Sequence, residues 1–66
     1  MEPSMGMAVD RIYYNDVSNA LEERGIDYGI WNAEDFFFGN AKQVEFTVRT
    51  EAELEILVSI IKQITG

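Results

Sequence analysis

Residues 44–57 read Val44-Glu45-Phe46-Thr47-Val48-Arg49-Thr50-Glu51-Ala52-Glu53-Leu54-Glu55-Ile56-Leu57, and they carry the clearest structural signal in the chain. Over the first six residues apolar and polar side chains alternate. That is the pattern of a half-buried strand, with Val44, Phe46 and Val48 inward and Glu45, Thr47 and Arg49 outward. Thr50-Glu51-Ala52-Glu53 then fits a capping box, in which the Thr50 hydroxyl and the Glu53 carboxylate reciprocally satisfy backbone N–H groups left free at a helix start. Glu51, Glu53 and Glu55 stand at the positive end of the helix dipole. A strand that runs straight into a capped helix predicts a mixed α+β domain.

The helix that begins after Thr50 has more apolar surface than one core needs. Leu54, Leu57, Val58, Ile61 and Ile64 form one stripe, and Ile56 and Ile60 widen it to an arc of about 200°, against the roughly 100° that covers a single core. The excess is expected at a subunit interface. The alternative is a helix wedged between the sheet and another helix, with the whole arc used inside one monomer.

Upstream, Gly39-Asn40-Ala41-Lys42 reads as a hairpin loop and Phe36-Phe37-Phe38 as a short strand before it. Asn32-Ala33-Glu34-Asp35 is a turn cluster. Ile26-Asp27-Tyr28-Gly29-Ile30-Trp31 alternates as another strand, with Ile26, Tyr28 and Ile30 on one face. Val9, Ile12, Tyr13, Val17, Ala20 and Leu21 fall at helical spacing, and Gly25 supplies a left-handed stop. A helix is therefore expected over 8–24, with Arg11, Asn15, Ser18, Asn19 and Glu22 facing water. Residues 1–7 hold Pro3, Gly6 and three methionines without a period and read as a flexible leader. The expected fold is α+β in the order α-β-β-β-α over 8–66: a three-stranded antiparallel meander with two helices on one face. Phe37 and Trp31 would then lie on the open face as contact residues. Trp31 folded over a sheet edge as a local plug is the competing possibility.

The 66 residues carry twelve Asp and Glu against five Lys and Arg, a net charge of −7, with no histidine and no cysteine. Hydrophobic residues make up 47%, too many for a disordered acidic tail. Without imidazole or thiol, the common proton shuttle, soft metal ligands and most reactive nucleophile are missing. Glu34 and Asp35 are adjacent and diverge in an extended segment. Glu51, Glu53 and Glu55 fall on different helix faces. No phosphate-binding, dinucleotide or calcium-binding fingerprint is present. The expectation is a non-enzymatic protein with no cofactor and no metal. A domain this small and without disulfide or zinc often gains stability from a second subunit, so a homodimer is expected, with Ile56, Ile60, Trp31 and Phe37 at its interface. Met1-Glu2-Pro3-Ser4 lacks the basic and apolar regions of a signal peptide, and no stretch is long enough to span a membrane. A cytoplasmic location follows as the default.

The acids gather at Asp16, Glu22, Glu23, Asp27, Glu34 and Asp35, and no basic patch answers them. Direct nucleic-acid binding is disfavoured, because Lys and Arg supply affinity for phosphate. In size, acidity, absence of His and Cys and expected dimerisation, the whole chain resembles the small acidic proteins that bacteriophages encode to disable host factors, some of which mimic DNA. That resemblance implies a basic nucleic-acid-binding protein of the host cytoplasm as partner, with these six carboxylates standing in for phosphates. An ordinary solubility charge is the plain alternative. A second resemblance covers residues 44–66, where strand, cap and helix look like the end of ACT-type regulatory domains. It implies a small ligand-binding or dimerisation module. The chain departs from that family in showing no clear strand before its first helix and no closing strand.

Overall fold

A computed structural model describes residues 5–66. Among these residues three antiparallel strands form one sheet in an α+β fold, as expected, and three helices, not two, accompany it. Strand β1 (Met5–Asp10) leads through a 3₁₀ turn (Arg11–Tyr13) into helix α1 (Tyr14–Glu23), and β2 (Gly29–Trp31) into the short helix α2 (Ala33–Phe38). Strand β3 (Gln43–Val48) then runs into α3 (Glu51–Thr65). The sheet order is β1-β3-β2, so β3 lies between the other two and pairs antiparallel with both. β1 and β2 therefore run parallel to each other, in a split β-α-β arrangement rather than a meander.

The element order differs from the sequence expectation in two places. The first lies before α1. Of the leader expected over 1–7, residues 1–4 lie outside the described residues, whereas Met5, Gly6 and Met7 are the first half of β1. Residues 8–10, expected to open a helix, are its second half. Met5-Gly6-Met7-Ala8-Val9-Asp10 does alternate, with Met5, Met7 and Val9 inward, but the first two outward positions hold glycine and alanine, and only Asp10 at the end is polar. Gly6 lies so close to β3 that a Cβ there would come within 2.5 Å of the Phe46 carbonyl oxygen.

The second difference is α2. Asn32 adopts a left-handed conformation (φ 54°, ψ 47°), which a short polar side chain tolerates, and this turns the chain out of β2. Phe36-Phe37-Phe38 then winds as helix, not strand. Successive steps of about 100° put Phe36 in the core and leave Phe37 and Phe38 outside. Residues 39–42 accordingly link a helix to a strand and are not a hairpin loop.

Other local signals act as read. Gly25 (φ 69°) ends α1, with Ile26 N–H donating to Leu21 C=O at 3.0 Å and Gly25 N–H to Glu22 C=O at 3.1 Å. That pair of bonds is a complete Schellman stop. At α3, Glu53 N–H donates to Thr50 Oγ1 at 3.1 Å. The Glu53 carboxylate accepts at 3.2 Å from the N–H of Arg49, one residue earlier than the usual box.

α1 and α3 pack against each other over the inner sheet face. α3 rests on β1, while α1 is tied towards β2 by a hydrogen bond from Ser18 to Tyr28. Phe46 is the centre of the core: it is fully buried, stacks on Tyr14 at 5.7 Å and meets Tyr28 edge-on at 5.6 Å. Val17, Leu21, Val44, Val48 and Leu57 close around it. Ile60 is only 2% exposed and belongs to this core, so it is not available to a subunit interface as expected from sequence.

Candidate functional site

All six carboxylates singled out in the sequence are exposed. Asp16 and Glu23 lie seven residues apart on α1, hence on one face and about 10 Å apart along the axis. Glu22 sits beside Glu23, and Asp27 follows in the α1–β2 connection. Glu34 and Asp35 occupy the first turn of α2, where helix geometry separates adjacent side chains. Three or more of these acids do not converge on a possible metal site among the described residues.

Glu22 is held more firmly than the others. Its carboxylate accepts from the Tyr28 hydroxyl at 2.9 Å, and Ser18 Oγ lies 3.1 Å from the same carboxylate and against the Tyr28 hydroxyl, its single proton serving one or the other. Ser18, expected to face water, is buried by this arrangement. Burial raises the Tyr28 phenol above its usual range; the Ser18 hydroxyl opposes that shift, while the Glu22 carboxylate adds to it. The phenol is thus kept protonated, as a donor to Glu22. These contacts fix an acid at the end of α1.

Two of the five basic side chains are directed at backbone carbonyls. Arg24 donates to Ala20 C=O at 2.9 Å. Arg11 donates from Nε to Ala41 C=O at 3.0 Å and from its terminal nitrogen to Phe36 C=O, and its guanidinium stands 4.1 Å over the Phe36 ring. Arg11 thereby ties the end of β1 to the C-terminus of α2 and the loop after it. Arg11 is exposed, as expected, but in the 3₁₀ turn and not on an α-helix; its contacts went unforeseen, because the Phe run 25 residues away gave no cue that a carbonyl there needed a donor.

The aromatic residues divide. Trp31 is 60% exposed on the open face of the sheet, opposite Glu45, as expected. A depression of about 200 Å³ lies beside it, bordered by Ala8 and Gln43. Phe37 is exposed as well, but on α2, where it meets Tyr14 edge-on at 5.7 Å. Phe38, which as part of a strand would share the inner face with Phe36, is 89% exposed. Ile56 is 38% exposed and borders a hollow of about 490 Å³ that it shares with Arg24 between α3 and the end of α1. A third hollow, about 520 Å³, opens over Arg11 and Lys42. All three are shallow and open to solvent.

Among the described residues no helix is long and apolar enough to cross a membrane. No protein-family model matches the chain, and neither a curated protein nor a solved structure is significantly similar to it.

Proposed function

We propose that the protein is a non-enzymatic acidic interaction protein that occupies the basic nucleic-acid-binding surface of a host protein, with its carboxylates in place of phosphates. The observation that carries this reading is the exposure of Asp16, Glu22, Glu23, Asp27, Glu34 and Asp35 together on a chain of charge −7. Two of the five bases are meanwhile spent on backbone carbonyls. Such a surface steers a basic partner and raises its association rate. Glu22, held by Tyr28 and Ser18, gives it one pre-positioned acid.

The test begins with affinity capture from a bacterial lysate to obtain the partner. The purified pair is then titrated with duplex DNA at low and high salt. DNA should displace the protein, and affinity should fall steeply as salt rises. Charge reversal at Glu22 and Glu23, or at Glu34 and Asp35, should slow association and leave the fold intact. Binding that ignores ionic strength, or a contact surface on the partner that is acidic or apolar, refutes the proposal.

A second reading, a small regulatory module resembling ACT-type domains, is favoured by one observation. β1 supplies a strand before the first helix, which the sequence did not reveal, and it completes a split β-α-β order. In that case free amino acids should raise the melting temperature, and DNA should not compete with any partner.

A further inference from the structure

We infer that the free edge of β1 is a self-association surface, on which a second copy of this chain adds its own β1 to extend the sheet.

β1 is an edge strand: among the described residues only β3 pairs with it. The direction of its remaining backbone groups follows from one bond. Arg11 N–H donates to Lys42 C=O at 2.9 Å, and Arg11 and Lys42 continue the β1–β3 register by one step. Hydrogen-bonded and non-hydrogen-bonded pairs alternate along an antiparallel ladder. The bonded pairs are therefore Val9 with Val44, Met7 with Phe46 and Met5 with Val48. Gly6, Ala8 and Asp10 direct their N–H and C=O groups the other way, to the open edge.

Natural edge strands are commonly guarded by lysine, proline, a bulge or a covering loop. β1 has no lysine or proline among residues 5–10, and its register with β3 runs without a bulge. The residues that offer the free groups have outward side chains of hydrogen, methyl and, only at the end, carboxylate. An antiparallel pairing centred on Ala8 places Gly6 of each copy opposite Asp10 of the other and Ala8 opposite Ala8. Neither the two Asp10 nor any other identical charges stand opposite each other, and the three offered residues on each side find acceptors and donors. The one like-charge approach is Asp10 of each copy towards the other's Glu45, whose Oε2 lies 3.2 Å from the Cβ position of Gly6.

The helix above the edge favours a second copy over a lone peptide. α3 rests on β1. Its Ile56 and Gln63 side shares a hollow with Arg24 of α1, so helical periodicity turns Leu54, Val58 and Ile61 away from α1, towards the outer side of β1. These three are only partly buried, as are Met5 and Met7 beneath them. A six-residue strand is about 20 Å long. Strand pairing alone covers little of the roughly 800 Å² per partner typical of a stable interface. A peptide brings a strand only. A second copy brings a strand and a matching α3 flank, so that both apolar flanks are covered by one two-fold contact.

The experiment is sedimentation equilibrium of the full chain and of Ala8→Pro, with amide hydrogen exchange on the wild type. Proline at 8 removes a donor that faces the free edge and leaves the β3 bonds of Met7 and Val9 in place. A wild type that is dimeric at micromolar concentration, with folded Ala8→Pro monomeric, is expected. Ile56→Glu should remain dimeric, since Ile56 lies on the other flank. Should Ala8→Pro not fold, exchange decides: amides of Gly6, Ala8 and Asp10 should slow by an order of magnitude or more as concentration rises through the dimer transition, while Met7 and Val9 stay protected throughout. A monomeric wild type, a folded Ala8→Pro that still dimerises, loss of the dimer in Ile56→Glu, or edge amides indifferent to concentration would each overturn the inference. None of these readouts involves the acidic surface or its partner.

Discussion

Arg11→Ala should cost more than any other exposed substitution, and the structure says roughly how much. The change removes hydrogen bonds to the carbonyls of Ala41 and Phe36 and a cation placed 4.1 Å over the Phe36 ring. A net hydrogen bond is worth about 1 kcal/mol and an exposed cation–π contact about 0.5–1 kcal/mol. Together they come to about 2–3 kcal/mol. A domain of this length has a total stability on the order of 3–10 kcal/mol, so the loss is a large part of it. The melting temperature should drop by roughly 10–20 °C. Arg11→Lys keeps a cation near the ring but cannot reach both carbonyls with a planar fork, so it should recover less than half. Urea unfolding curves of the three proteins decide, with an unchanged m-value showing that the unfolded state is not what moved. A loss below about 0.5 kcal/mol for Arg11→Ala, or full recovery in Arg11→Lys, would refute the claim that this side chain clamps α2 to the sheet.

Three further outcomes are open to measurement. Thr50→Ala should cost about 1 kcal/mol by deleting the acceptor of the Glu53 amide, and Glu53→Ala less, since only the exposed bond to the Arg49 N–H is lost; thermal melts rank them. Phe46→Ala should cost about 3–5 kcal/mol, enough to leave a substantial unfolded population by circular dichroism, because the ring is fully buried between Tyr14 and Tyr28. Tyr28 is raised by burial and by Glu22; a raised phenol contributes stability that is whole below its unfolded value near 10 and is lost as pH rises through the folded value. Tyr28→Phe should therefore be less stable than wild type at neutral pH and lose less on going to alkaline pH, as followed by urea midpoints across that range.

Sequence periodicity was sufficient wherever one face of an element is wet. β3 and α3 alternate or cap in ways that only one structure satisfies, and Gly25 stops α1 where its left-handed tolerance implies. It failed where burial was not encoded by polarity. β1 has small residues outward, so Met5-Gly6-Met7-Ala8 looks featureless until β3 is seen beside it. The three phenylalanines carry no period at all, and a run of that length cannot tell strand from helix. What settles it is the left-handed Asn32 and the Arg11 guanidinium under Phe36 C=O, contacts made across the fold. The exposed carboxylates were legible because charge follows water; the Ser18–Tyr28–Glu22 contact was not, since it joins a helix to a connection whose packing is tertiary.

The two proposals, self-association through β1 and capture of a basic partner by the carboxylates of a chain of charge −7, call on different flanks of the fold. The free edge of β1 lies under α3, whereas α1 lies on the other flank of α3 and is bonded towards β2 through Ser18 and Tyr28. A helix is about 10 Å across, and the screening length at physiological salt is about 8 Å, so Asp16, Glu22 and Glu23 are largely screened from the edge. Pairing through β1 should consequently strengthen only slightly as salt rises, while binding of a basic partner at the carboxylates should weaken steeply. The two dependences have opposite sign and can be followed on one sample, by sedimentation and by titration at matched ionic strengths. A dimer that dissociates when salt is lowered to near 10 mM, where the screening length grows to about 30 Å, is consistent with long-range repulsion between two acidic bodies. A dimer that already dissociates at physiological salt and is rescued only by much higher salt would require acids within a few ångströms of each other. Asp10 and Glu45 flank the β1 edge, so Asp10→Asn separates the cases: it should relieve such a salt dependence if the contact is β1 and leave it unchanged if the contact is α1.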